Sequence, residues 1–493
     1  MSLVLAIDAG TTGITSLLIA DDATIVGRGY REFPQHFPRP GWVEHDANEI
    51  WAATTGSAAM ALDRAGRDAR DVTAIGITNQ RETTLLWDRT TLQPVHHAIV
   101  WQDRRTASRC DGLREHEPMV RAKTGLVLDS YFSATKVEWL LENVDDLADA
   151  ARAGRLAFGT IDTWLIAKLT GGAVHATDYT NAGRTLAYDI YQRRWDDELL
   201  SLFGDLPSSM LPEVRPSSGD FGTADLLGAR IPITGVAGDQ QAALFGQACF
   251  GPGATKNTYG TGSFVLMNTG DTAPPPPEGL LVTLACGPDG AVAYAMEGAI
   301  FVTGAAIQWL RDGLGIIGAA PETGPLASTV GDTGGVYFVP ALTGLGSPYW
   351  DPYARGAIIG ITRGTTRAHI ARAAVEAMAY QTRDVVDAMA REAGIKLTDL
   401  RVDGGASVMD LLCSIQADQL GVPVRRPAIQ ETTALGAAFL AGLATGVWSS
   451  TDELAKTWRL DKEFVPSDDR TQADAAYAGW QRAVERARGW AAD

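Results

Sequence analysis

Three segments of the chain share one form: an apolar run that ends on a carboxylate beside glycine or small hydroxyl residues. They are Leu5-Ala6-Ile7-Asp8-Ala9-Gly10-Thr11-Thr12-Gly13, Ile233-Thr234-Gly235-Val236-Ala237-Gly238-Asp239-Gln240 and Leu400-Arg401-Val402-Asp403-Gly404-Gly405-Ala406-Ser407. Short apolar runs bounded by turn residues read as buried strands. Glycine just past a strand end lets backbone N–H groups approach a phosphate closely, and hydroxyls add donors without bulk. A carboxylate at the same place holds magnesium, usually through water, or accepts a proton. One such segment is as easily an ordinary turn. Three in this order point to a phosphate cleft built between two half-domains.

The rest of the chain is punctuated the same way in each half. Residues 3–7 and 14–20 are apolar runs joined by a tight turn, with a third strand near 24–28. After residue 250 the pattern returns, with strands expected over 254–259 and 263–268 and a hairpin over 280–296 that turns at Pro288-Asp289-Gly290. Helices are expected over 303–314 and 367–393, the second carrying Ile370, Ala374, Met378, Val385 and Met389 on one face and Gly394 as its stop. Strands first and helices after, twice over, predict a duplicated α/β chain. Its domains would be residues 1–250 and 251–493, divided at Gly251-Pro252-Gly253. The more highly charged tail beyond Ser449 is expected to be helical.

Composition narrows the function classes. A formal charge of −17 over 493 residues argues against nucleic acid or an anionic membrane surface as the main partner, since either needs a basic face. The uncharged stretch 432–451 has an apolar part of only 434–444, short of the ~20 residues a spanning helix needs, so a buried helix is expected and no membrane insertion. Cys110, Cys249, Cys286 and Cys413 have no CxxC spacing and are expected to be reduced and mostly buried. The first eight residues lack a basic n-region and reach Asp8 too early for a signal peptide, so a cytoplasmic protein is expected. The 53 glycines exceed the roughly 35 that an average usage of about 7% would give, with no collagen-like period to account for them.

No GxxxxGK[ST] is present, and no GxGxxG follows the first strand, so neither a P-loop nor a dinucleotide fold fits. The three carboxylate segments resemble the first phosphate loop, second phosphate loop and adenosine loop of the actin-like ATPases. Six further stretches narrow the resemblance to the FGGY carbohydrate kinases, and within them to those acting on glycerol. They are Gly41-Trp42-Val43-Glu44-His45-Asp46, Asn79-Gln80-Arg81-Glu82-Thr83-Thr84, Trp101-Gln102-Asp103-Arg104-Arg105, Tyr131-Phe132-Ser133-Ala134-Thr135-Lys136, Ala237-Gly238-Asp239-Gln240-Gln241-Ala242-Ala243 and Lys256-Asn257-Thr258-Tyr259-Gly260-Thr261-Gly262. The resemblance implies two duplicated actin-like (ribonuclease H-like) ATPase domains with a cleft between them. It also implies phosphorylation of glycerol to sn-glycerol 3-phosphate, with ATP as co-substrate and Mg2+ as cofactor. A homo-oligomer, dimer or tetramer, is expected.

The residue roles follow from that resemblance and agree with the chemistry of a triol, whose hydroxyls each need donors and acceptors. Arg81 supplies donors, Glu82 and Asp239 supply acceptors, and Trp101, Tyr131 and Phe264 pack the carbon edge, with Gln240 beside the substrate. Asp239 is the expected catalytic base and Asp8 the carboxylate near the metal. Thr11, Thr12 and Gly13 would line the phosphates, as would Thr261, with Gly304, Gln308, Gly405 and Met409 along the rest of the nucleotide. The chain departs from the family pattern at three places. Ala9 stands for a usual glutamine, and Gly13-Ile14-Thr15 for serines and an arginine, which removes a cation near the phosphates. Met409 stands for an asparagine on the adenine side, and its thioether packs on a base without the amide's hydrogen bonds. These departures leave open a kinase for another polyol or sugar, or a catalytically weak nucleotide-binding regulator.

Overall fold

The computed structural model describes residues 2–491, and its two largest sheets repeat one strand order. In the first half the chain forms β1 (Leu3–Ala9), β2 (Gly13–Ala20), β3 (Ile25–Glu32), helix α1 (Ala47–Ala65) and β4 (Val72–Asn79). After a long insertion, β5 (Thr223–Leu226) and β6 (Ala229–Gly238) complete a six-stranded sheet of order β5-β6-β4-β1-β2-β3. Strands β1, β4 and β6 run parallel, and β2, β3 and β5 antiparallel to their neighbours. Helix α2 (Asp239–Gly246) follows β6 directly.

The second half repeats this plan with β7 (Thr255–Tyr259), β8 (Ser263–Gly270), β9 (Leu281–Cys286), β10 (Val292–Ile300), helix α3 (Gly304–Asp312) and helix α4 (Arg367–Ala393). Then come β11 (Leu400–Asp403), helix α5 (Asp410–Leu420), β12 (Val424–Pro427), helix α6 (Thr432–Thr445), β13 (Leu460–Phe464) and helix α7 (Thr471–Ala487). The sheet order is β9-β10-β8-β7-β11-β12-β13, with β7, β11 and β12 parallel. The series β3-β2-β1-β4-β6 therefore recurs as β10-β8-β7-β11-β12, the duplicated α/β plan that the strand grammar predicts. Both faces of the inner strands are filled by Val, Ile, Leu and Ala, so β1 is buried on both sides, whereas the edge strands β3 and β5 expose alternate residues.

Helix α4 spans the predicted residues 367–393, capped by reciprocal hydrogen bonds between Thr366 and His369 and ended by Gly394 at φ 64°. The tail differs from the expectation of helix alone. Residues Leu460–Phe464 form β13 at the sheet edge, where Arg425 pairs with Glu463 and Arg426 with Asp461. An exposed edge strand held by cross-strand ion pairs has no buried face to give it an apolar alternation.

Helix α6, apolar all round, belongs to the second half in sequence but packs on β1, β4 and β6 of the first sheet and on α2. Glycine makes the contact possible. A methyl group at Gly436 would fall 1.8 Å from the Ala242 carbonyl oxygen, and one at Gly246 would fall 2.0 Å from that of Thr432. Close backbone approach of this kind uses part of the glycine excess. Gly436→Ala is expected to destabilise the protein by at least the ~1–3 kcal/mol typical of overpacking, because the clash is with backbone that no rotamer can relieve. Denaturant unfolding of the variant measures it.

All four cysteines are free and buried. Among the described residues no helix is long and apolar enough to cross a membrane, and no group of His, Cys, Asp and Glu is arranged to hold a metal by itself.

Candidate active site

Strand β1 carries Asp8 to the edge of the cleft, opposite Thr15 of β2 and Thr78 of β4. The chain then turns back through Gly10–Gly13, closed by the Gly10 N–H donating to the Gly13 carbonyl at 3.1 Å. Two donors fix Thr11: Trp101 Nε1 to its hydroxyl at 3.0 Å and Gln35 Nε2 to its carbonyl at 2.9 Å. Beneath the turn, Gln35 meets His45 at 2.6 Å, His45 meets Gln80 at 3.3 Å, and Gln80 donates to the Gly10 carbonyl at 3.2 Å. Burial, then the nearby charge of His36, pushes His45 down to about 3, so this support is uncharged at neutral pH.

The Asp8 carboxylate makes no hydrogen bond among the described residues. Desolvation, and then the negative charge of Asp239, raise it to about 7. A carboxylate without a protein cation and facing a second carboxylate is a chemical fit for a divalent cation. The shift also makes a stability statement. Asp8 holds its proton up to about 7 in the fold but only to 3.8 when unfolded, so its contribution is present below 3.8 and is lost as pH rises through 7. Asp8→Asn is therefore expected to match the parent at acid pH. At pH 8 without nucleotide it should be more stable, on the order of 1–2 kcal/mol after allowing for the solvent that reaches a half-buried group. Denaturation curves across this range check the sign.

The acceptor side is built on the ends of β4 and β6. Asp239 is the first residue of α2; its Oδ1 accepts from the Gln240 N–H at 2.7 Å and forms an ion pair with Arg81, whose Nε lies 3.2 Å away. Its side chain is 31% exposed, against 1% for Arg81 and Glu82, so Asp239 is the most open of the three. Glu82 adopts φ 62°, a conformation a non-glycine residue holds only where its surroundings enforce it. The hydroxyls of Ser133 and Thr84 donate to its carbonyl at 2.9 and 3.0 Å. Trp101 and Tyr131 meet edge to face at 5.6 Å, and the Arg81 guanidinium lies 5.8 Å from the Phe264 ring centre. These contacts bring Arg81 together with Glu82, Asp239 and Phe264, set Gln240 beside Asp239, and pair Trp101 with Tyr131.

Sequence reasoning missed the residues that hold this group in place. Glu297, from β10, takes Arg81 in a two-pronged pair at 2.6 and 3.1 Å and Arg184 at 3.0 Å, while Arg184 Nε donates to Glu82 at 2.6 Å. Burial alone would raise Glu297, but the charges of Arg184 and Arg81 outweigh it and bring the carboxyl down to about 2. Lys256 Nζ donates to the Gln240 amide oxygen and, at 2.8 Å, to the Thr258 hydroxyl; burial lowers it to about 8. The signal for Glu297 was present as a single charge in the otherwise uncharged stretch 290–310.

The nucleotide side is a cavity of about 680 Å3 in the second half, lined by Tyr259, Thr261, Gly304, Gln308, Gly405 and Met409 among others. Gly404 turns the chain here at φ 82°, where a methyl group would fall 2.5 Å from the Tyr259 carbonyl oxygen. Met409 packs its Cγ over Gly324, leaving an apolar wall. Thr11, Thr12 and Gly13 stand apart from this cavity, on the first sheet. Of the three strand-end carboxylates, Asp8 and Asp239, at the ends of β1 and β6 of the first sheet, lie close enough to repel each other. Asp403 does not join them: it accepts from Thr432 at 2.6 Å and Gln247 at 2.8 Å, tying α6 and the end of α2 to β11. A buried carboxylate surrounded by donors is a structural tie.

Comparison with known proteins extends to the whole chain. The N-terminal domain model of the FGGY family of carbohydrate kinases matches residues 3–246, and the C-terminal domain model matches residues 255–445. A glycerol kinase of Deinococcus radiodurans is 57% identical, covering 99% of this chain and 98% of that relative. Glycerol kinase 2 of Thermotoga maritima is 56% identical over 99% of both. The crystal structure of Plasmodium falciparum glycerol kinase with ADP is 35% identical and superposes with a TM-score of 0.92, covering 99% of this chain and 98% of that one. With both domain models matched in order and relatives alike from end to end, the chain belongs to the FGGY family of carbohydrate kinases.

Proposed function

We infer that this chain transfers the terminal phosphoryl group of ATP to glycerol, giving sn-glycerol 3-phosphate and ADP. The observation that carries the reading is the acceptor site: one partly open carboxylate, Asp239, set by Arg81 and a helix N-terminus beside the buried Arg81–Glu82 pair. End-to-end likeness to glycerol kinases supports the choice of triol.

In this reading Arg81 donates to substrate hydroxyls, Glu82 accepts from them, and the Trp101–Tyr131 edge and Phe264 cover the carbon chain. Asp239 accepts the proton of the terminal hydroxyl as its oxygen attacks the γ-phosphorus, the bond to the β–γ bridging oxygen breaks, and ADP leaves. Gln240, anchored by Lys256, orients the acceptor. Thr11, Thr12 and Gly13 offer hydroxyl and backbone donors to the phosphates, with Thr261 opposite them. Gly304, Gln308, Gly405 and Met409 form the nucleoside wall. Magnesium bound with the nucleotide would neutralise phosphate charge, and Asp8 is the carboxylate placed to hold it. We assign the domains as residues 1–250 and 251–493; closure of one on the other would exclude water as a competing acceptor.

A coupled assay of ADP release with glycerol and a panel of sugars tests the reading. Turnover with glycerol above every sugar is expected; no turnover with any acceptor at millimolar MgATP would leave a nucleotide-binding regulator as the better description.

A further inference from the structure

Strand register places Asp8, Thr15 and Tyr30 in one row: Asp8 of β1 faces Thr15 of β2, and Thr15 faces Tyr30 of β3. Residues directly opposite in antiparallel strands share a face of the sheet, so Tyr30 lies on the cleft face with Asp8. Its ring reaches toward the first loop. A methyl group at Gly13 would fall 2.8 Å from both the Tyr30 hydroxyl oxygen and its Cε2, so the phenol fills the space a side chain at residue 13 would take. Tyr30 is 39% exposed, and its hydroxyl makes no hydrogen bond among the described residues.

The neighbours on that face define what it looks onto. Arg28, two residues earlier on β3, pairs with Glu431 of the second half at 3.5 Å. Glu431 follows Gln430, whose side-chain oxygen accepts from the Ser407 hydroxyl at 3.0 Å in the turn beside Gly405. The face of β3 that carries Tyr30 therefore meets the second half near the turn at Gly405. At Thr15, directly opposite it, the chain offers only a short hydroxyl, and Gly13 has no side chain to offer.

We propose that Tyr30 is a nucleotide-binding residue of this chain, its hydroxyl donating a hydrogen bond to a phosphate oxygen of ATP. Gly13, Thr15 and Tyr30 then form one set, in which the phenol takes the space that a side chain at residue 13 would fill. This rests on the reading of residues 11–13 as a phosphate loop.

Tyr30→Phe removes one oxygen from a partly exposed ring. A hydrogen bond to a charged group is lost, so the KM for ATP is expected to rise about tenfold, with the KM for glycerol within twofold of the parent. Calorimetric binding of a magnesium complex of a non-hydrolysable ATP analogue, without glycerol, should weaken by a similar factor. An ATP KM and an analogue affinity both within twofold of the parent would overturn the proposal. A parent without glycerol turnover whose analogue binding still weakens in Tyr30→Phe would overturn the proposed reaction and uphold the role of Tyr30.

Discussion

Asp239→Asn is expected to lower glycerol phosphorylation by about three orders of magnitude, the middle of the range for loss of a general base. Nucleotide affinity should stay within threefold. Asparagine keeps an oxygen for the Gln240 N–H, which donates at 2.7 Å, and faces Arg81, whose Nε lies 3.2 Å away. What it loses is the capacity to take up a proton. The predicted signature is a fall in kcat with binding of ATP and glycerol retained, measured by steady-state kinetics beside calorimetry. A variant retaining more than a tenth of parental kcat would remove Asp239 from the role of base.

Glu297→Gln should be damaging in a different way. Arg81, Arg184, Glu82 and Glu297 form a buried set of two cations and two anions, each side chain at most 1% exposed. Removing one anion leaves two guanidinium groups short of compensation, and breaking a buried pair by removing one partner costs about 3–5 kcal/mol. Arg184 already has one buried nitrogen, Nη1, with no hydrogen-bond partner, so it has no spare contact to fall back on. Because Glu297 comes from β10 while the other three come from the first half, the loss also frees Arg81 from the element that aims it. The expected outcome is a lower denaturation midpoint together with a glycerol KM raised about a hundredfold, as for a site whose polar groups are left mispaired. The carboxyl lies below its ordinary range, so its stabilisation is present above 4.5 and lost as pH falls towards 2. The stability gap between variant and parent should therefore be full at neutral pH and close only in strong acid. A gap that vanished by pH 6 would contradict the buried-pair account.

The parts of this protein that could be read before folding are those governed by local chemistry. The strands that open each half announce themselves because both of their faces are buried and their turns need glycine. Helix 367–393 announces itself through its spacing and its stop at Gly394. Asp8, Arg81, Glu82 and Asp239 lie within or beside such signals. Other features are decided by partners far along the chain. Asp403 has the same local setting as Asp8 and Asp239, yet Thr432 and Gln247 take up its oxygens, and nothing within ten residues of it foretells that. Glu297, 216 residues from Arg81, becomes part of the acceptor site only when the second sheet meets the first. Tyr30 lies beyond the strand expected near 24–28, and only the longer observed strand and its register set it across from Thr15.

Helix α6 gives the molecule an order in time. The sheet that begins at Leu3 is covered by residues 432–445, so that layer is missing until more than 400 further residues have been synthesised. While the chain grows on the ribosome, the first-made sheet waits with an apolar face uncovered, the kind of surface that chaperones bind and that associates wrongly when crowded. Emergence of residues 432–445 then covers it.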